Sequence, residues 1–161
     1  MNVSKEFFNI FCLDGRRVLI FDDKKLVPTT GKMTHMVGWS HPDLLNECTG
    51  PSLNGFCDCS FDMVPHGFFQ VMVIMVFLMQ YMLYVPVFFV LLQSKDEDVY
   101  RMAMQSCISA ANWQFFANSF TCDFEKGLYN AAKFNFGEAV FISCWFHWKQ
   151  AIRRKVSYIC A

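Results

Sequence analysis

Two absences organise this chain. No Asp, Glu, Lys or Arg occurs between Asp62 and Lys95, and the 23 residues from Ala139 to Ala161 hold no carboxylate. No internal repeat or low-complexity tract is present, which excludes solenoid and tail-like classes. A secretory signal is not expected either, since the apolar start of MNVSKEFFNIFCLDGRR is cut off by Asp14, Arg16 and Arg17 with no small-residue cleavage site. The 8 cysteines follow no disulfide-framework spacing, so free thiols in a reducing compartment are expected. At 161 residues the prior is one domain able to bury its own core, and 14 basic and 14 acidic residues cancel.

The charge gap contains FFQVMVIMVFLMQYMLYVPVFFVLLQ, residues 68–93. Its length meets the criterion for a membrane span. Gln80 and Tyr81 in mid-run, Pro86, and frequent β-branched and aromatic residues fit two adjacent buried strands better, with a tip at Met79–Met82 that lacks Gly, Asn or Asp. A small membrane protein anchored by residues 68–93 is the alternative.

The carboxylate-free ending leaves Lys149, Arg153, Arg154 and Lys155 unopposed. A solvated helix face and a nucleic-acid contact explain these cations equally well.

Residues 1–50 read as a lead-in with one strand, Val18 to Phe21, followed by Pro and Gly punctuation; residues 51–161 form the second part. There, strands are expected over Phe56–Met63, Phe69–Met79 and Met82–Leu92. Ser94 to Glu97 matches a capping box, and an apolar face through Val99, Ala103 and Ala111 predicts a helix up to Asn112. A strand over Phe116–Cys122, a helix over Phe124–Phe134, a strand over Ala139–Ser143 and a helix over Trp145–Tyr158 complete the string. Three strands in meander, then alternating helix and strand, predict an α/β fold with a mixed sheet.

Asp58 lies in the first strand of that set and Asp123 ends the fourth. If the two strands are parallel neighbours, both carboxylates reach one sheet edge, where divalent cations acting on a phosphodiester need oxygen ligands. Asp123 is read first as the N-cap of the following helix, and Asp58 as a buried charge in need of a partner. Cys144 and His147 form a Cys-x-x-His pair, only half of a tetrahedral zinc site, and burial and packing account for them more simply.

Taken together these residues resemble the Mutator-like element (MULE) transposase domain, a DDE-type transposase with a ribonuclease H-like fold. Asp58 is followed by Cys59, Ser60, Phe61, Val64 and Pro65; Val85–Tyr100 is similar to the third strand and first helix; Thr121, Asp123, Phe124, Glu125 and Lys126 match the second acid's context; Cys144, Phe146, His147, Gln150 and Ala151 match the Cys-x-x-His block. The resemblance implies that Asp58 and Asp123 are catalytic and hold Mg²⁺ or Mn²⁺, with hydrolysis and strand transfer at transposon ends as the reaction. It implies DNA as partner, a nuclear location and no small-molecule cofactor; self-association is left open. The family's third acid, a Glu in a helix beyond the Cys-x-x-His block, has no counterpart here, and Cys59 stands where the family has glycine. The expectation is a C-terminally truncated, catalytically incomplete domain, with a DNA-binding remnant as its alternative.

Overall fold

The strand expected near the start is the beginning of β1 (Leu19–Leu26), which turns back through Gly31, at φ +64°, into β2 (Met33–Trp39). A short helix α1 (Pro42–Glu47) follows, its N-terminus capped by His41, whose ring nitrogen accepts the Asp43 N–H at 3.2 Å. The lead-in thus carries two strands and a helix where one strand was expected. The computed structural model describes residue 12 and residues 14–48, 50–62 and 64–159. The apolar start over residues 1–11, Met63 and Cys160 lie outside the described residues.

Next come β3 (Gly50–Ser60), β4 (Gln70–Leu78), β5 (Leu83–Leu92), α2 (Glu97–Ala110), β6 (Phe115–Cys122), α3 (Lys126–Asn135), β7 (Val140–Ser143) and α4 (Trp145–Ile159). They build a mixed α/β structure on a seven-stranded sheet of order β1-β2-β5-β4-β3-β6-β7. From β1 to β3 all neighbours are antiparallel, whereas β3–β6 and β6–β7 are parallel. Parallel pairing requires a crossover, and α2 and α3 lie at those points of the chain.

The uncharged run forms the β4–β5 hairpin in the middle of the sheet. Among the described residues no helix is long and apolar enough to cross a membrane. In β4 every second residue is fully buried: Gln70, Met72, Ile74, Val76 and Leu78 face one way, and Val71, Val73, Met75 and Phe77 are half-buried on the other face. Pro86 sits at the β5 bulge, in a stretch that β2 does not reach, so its missing N–H leaves no ladder bond unmade. The turn falls at Met79–Met82 as expected, with Met82 at φ +53°.

Helices α2 and α3 pack on each other and on the buried face, burying Val99, Tyr100, Ala103, Met104 and Cys107 from one and Leu128, Ala131 and Ala132 from the other. Phe88, Phe115 and Phe120 fill the space between, and each side chain of this size contributes about 1.5–3 kcal/mol on burial. The capping box is not made. Glu97 is the first helical residue, Asp96 stands at the N-cap, and Ser94 Oγ pairs with Asp96 Oδ2 at 2.8 Å. Helix α4 follows β7 and buries none of its described side chains.

Candidate functional site

Parallel pairing of β3 with β6 runs in the register Phe56↔Thr121 and Cys57↔Cys122. Asp58 and Asp123 each stand one residue further on, so two carboxylates distant in sequence arrive at one edge of the sheet. The alternation of β3 turns Cys57 inward and Asp58 outward. Its side chain is 67% exposed, which corrects the expectation of a buried charge.

Asp123 is not the cap of α3. That helix begins at Lys126 with Glu125 at its N-cap, and the Asp123 carboxylate instead accepts the Phe124 N–H at 2.6 Å. Asp58 has the same local bond, accepting the Cys59 N–H at 2.9 Å. In both residues Oδ1 is the bonded oxygen, which leaves each Oδ2 free of these bonds.

His147, the third residue of α4, stands between the two. Its Nε2 is 3.8 Å from Asp58 Oδ1 and its Nδ1 is 3.6 Å from Asp123 Oδ1. Both spacings exceed hydrogen-bond length, and Nδ1 is buried with no hydrogen-bond partner. The ring is placed by the β7–α4 junction: the Cys144 N–H donates to the Cys122 carbonyl at 3.1 Å, and the Cys144 carbonyl accepts the Trp148 N–H at 3.0 Å. Cys144 thus sets the start of the helix through its backbone.

Behind the carboxylates lie thiols, all free. A hydrogen bond with Cys59, then burial, push the Cys57 thiol well above its ordinary range. Cys122 is pushed up to about 11, first by burial, then by the nearby Asp123 and Cys144. Both stay protonated near neutral pH and are poor ligands in that form.

Two hard carboxylate oxygens beside an imidazole suit a divalent cation such as Mg²⁺ or Mn²⁺ in kind, and the unpartnered Nδ1 is a donor atom to spare. Among the described residues no three His, Cys, Asp or Glu side chains already surround one point as an ion would need. Asp58 and Asp123 can therefore offer an open, two-carboxylate site at most. Neither glutamate nearby in sequence completes it. Glu125 accepts the Tyr100 hydroxyl at 3.0 Å. Glu138 precedes β7, at the opposite end of the parallel strands, roughly 20 Å away by strand rise.

Sequence reasoning missed the support beneath the Asp123 loop. Gln70, fully buried, donates from Nε2 to the Tyr100 hydroxyl at 2.6 Å, and that hydroxyl donates onward to Glu125. The available signal was a glutamine inside an otherwise apolar run. Lys149, Arg153, Arg154 and Lys155 are all exposed on α4, and seven positions separate Arg154 from His147, which sets both on one helix face. Arg154 reaches Gln150 Oε1 at 3.4 Å, and Lys155 lies over the Tyr158 ring.

No family model matches this chain, and no curated protein or solved structure matches it.

Proposed function

We propose that the chain carries the catalytic core of a MULE-type DDE transposase, ribonuclease H-like in fold, with two of the family's three acids. It engages DNA and a divalent cation, and for lack of the third acid it does not cut DNA. The observation that carries this reading is the Cys57↔Cys122 register, which sets Asp58 and Asp123 at one sheet edge facing the same imidazole. The strand order supports it. From β5 through β4 and β3 to β6 and β7, an antiparallel meander passes into parallel crossover strands, the arrangement the resemblance implies.

Asp58 and Asp123 would hold the Mg²⁺ or Mn²⁺ ion, which when bound neutralises phosphodiester charge and orients the attacking oxygen. The chain's own residues do the positioning. Backbone N–H groups of Cys59 and Phe124 fix one oxygen of each carboxylate, and His147 keeps the two like charges apart. A DNA substrate places its work in the nucleus.

Manganese binding followed by electron paramagnetic resonance tests the reading. Wild-type protein should bind Mn²⁺ weakly, Asp58→Asn and Asp123→Asn should each lose that binding, and transposon-end DNA should stay intact. Equal Mn²⁺ affinity in all three proteins sinks the proposal. Nicking by wild type that vanishes in Asp58→Asn overturns the claim of incompleteness alone.

A second reading, a DNA-holding remnant without metal chemistry, is favoured by α4. The helix has no carboxylate, exposes four cations and, apart from His147 and Gln150, leaves its described side chains exposed.

A further inference from the structure

At the end of β6 opposite Asp123, a cavity of about 530 Å³ opens between the end of α2, the start of β6 and the loop from α3 to β7. Aromatic rings form much of its wall, notably Trp113, Phe116, Phe134 and Phe136; Asn118 contributes an amide, and Glu138 is the one charged lining residue. The volume lies within the range of small-molecule sites.

Trp113 is held there by the way α2 ends. The Asn112 N–H donates to the Ser109 carbonyl at 3.0 Å and the Trp113 N–H to the Ile108 carbonyl at 2.9 Å, a Schellman closure. Such a closure needs one left-handed residue, and Asn112, at φ +52°, is suited to it. Trp113 is left-handed as well, at φ +61°, which a bulky side chain adopts only against strain. Despite this its side chain is not buried, for the residue remains 63% exposed. The strained backbone therefore presents an indole to the cavity without burying it in a core.

Phe134 is 57% exposed, with the Arg101 guanidinium 4.2 Å from its centroid. Arg101 is itself paired with Glu97 at 2.8 Å, so the ring is held and the arginine's charge is met. Phe116 is 60% exposed, and Glu138 makes no ion pair among the described residues. Glu138 is exposed, and its carboxylate repels an anionic ligand and attracts a cationic one.

We infer that this cavity binds a small planar organic cation, its ring stacked on the exposed aromatic faces and its charge met by Glu138. Aromatic faces attract cations through the ring quadrupole, and the carboxylate adds direct attraction.

The probe is N-methylquinolinium, compared with neutral quinoline at pH 8, with binding followed by amide and indole proton shifts. The cation should bind about fivefold or more tighter than quinoline. Glu138→Gln should reduce that preference to the smaller part the rings supply, while leaving quinoline binding unchanged. Trp113→Gly, which relieves the left-handed strain and so keeps the fold, should weaken both ligands. Quinoline binding as tightly as the cation to wild type overturns the inference, as does a cation preference undiminished by Glu138→Gln. Absence of shifts from either ligand, or tighter binding of a mononucleotide, overturns it too.

Discussion

The Tyr100 hydroxyl donates to the Glu125 carboxylate at 3.0 Å while accepting from the fully buried Gln70 amide at 2.6 Å. One phenol thus ties α2 and β4 to the loop that bears Asp123. Burial first, then the charges of Cys59 and Glu125, push its ionisation far above the ordinary range, so it stays a donor. Tyr100→Phe should cost about 1–3 kcal/mol in urea denaturation, since it leaves the buried Gln70 amide only its long 3.5 Å bond to the Ser94 carbonyl. Adding Gln70→Leu should recover part of that loss. A neutral Tyr100→Phe variant refutes the link.

Gly55 faces Phe120 across the β3–β6 pair, and a Cβ there would stand 2.7 Å from the ring. Phe120 cannot easily yield, because it is fully buried and stacked on Phe136 at 4.6 Å. Gly55→Ala should therefore destabilise by about 1–3 kcal/mol through overpacking. Chemical denaturation measures this, and a change within error would show that the strands slide apart cheaply.

Met82 closes the hairpin tip at φ +53° and is 69% exposed, so its side chain offers little packing to offset the strain. Met82→Gly should stabilise the protein by about 0.5–1 kcal/mol. In a chain of this length that raises the melting temperature by roughly 1–4 °C. A lower melting temperature would falsify the assignment of strain to this residue.

Burial pushes the Cys48 thiol up to about 12 and Cys122 up to about 11 and also raises Cys107, while a hydrogen bond with Cys59 and then burial raise Cys57. Above their ordinary value of 9.0 the unfolded chain releases these protons and the folded chain keeps them. The folded state then binds more protons, so stability should be level below pH 9 and fall as pH climbs toward 11–12. Urea midpoints across that range check the sign. In native protein Cys59 and Cys144, both half-exposed, should react with a thiol reagent before those four.

On the proposed DNA-holding reading, the chain should bind DNA more weakly as salt rises, and Arg153→Ala with Arg154→Ala should lower the salt slope by up to about 2. Binding titrations at several salt concentrations measure the slope. An unchanged slope would remove both arginines from the DNA contact.

Much of the strand and helix order from β4 onward was legible because most apolar runs there end at charged or polar residues, and Gln80 and Tyr81 break the longest one. The β4–β5 hairpin, β6, β7 and α4 fall within a residue or two of their expected limits. The second strand, MTHMVGW, was hidden because His35 and Gly38 interrupt its apolar pattern. In the fold His35 pairs with Asp22 at 2.6 Å, and the Phe21 ring lies where a side chain of Gly38 would project. The early part of β3 was hidden by Gly50, Pro51 and Gly55, which read as loop. Asp58 and Asp123 could be named as candidates from residue types, but their meeting depends on which distant strand β3 chooses. No local pattern encodes that choice. The role of His147 as the group between them was invisible for the same reason.

The parallel register of β3 and β6 also governs when the site can exist. Asp58, Asp123 and His147 come from three elements, and nothing local brings any two of them together. The carboxylates meet only after α2 has crossed over and β6 has docked, and the imidazole arrives only after β7 has docked in turn. Long-range closures of this kind form late and slowly. Any signal from the carboxylate pair is therefore a clock for completed assembly: a partly folded chain can hold its hairpin and thiols and still have no site at all.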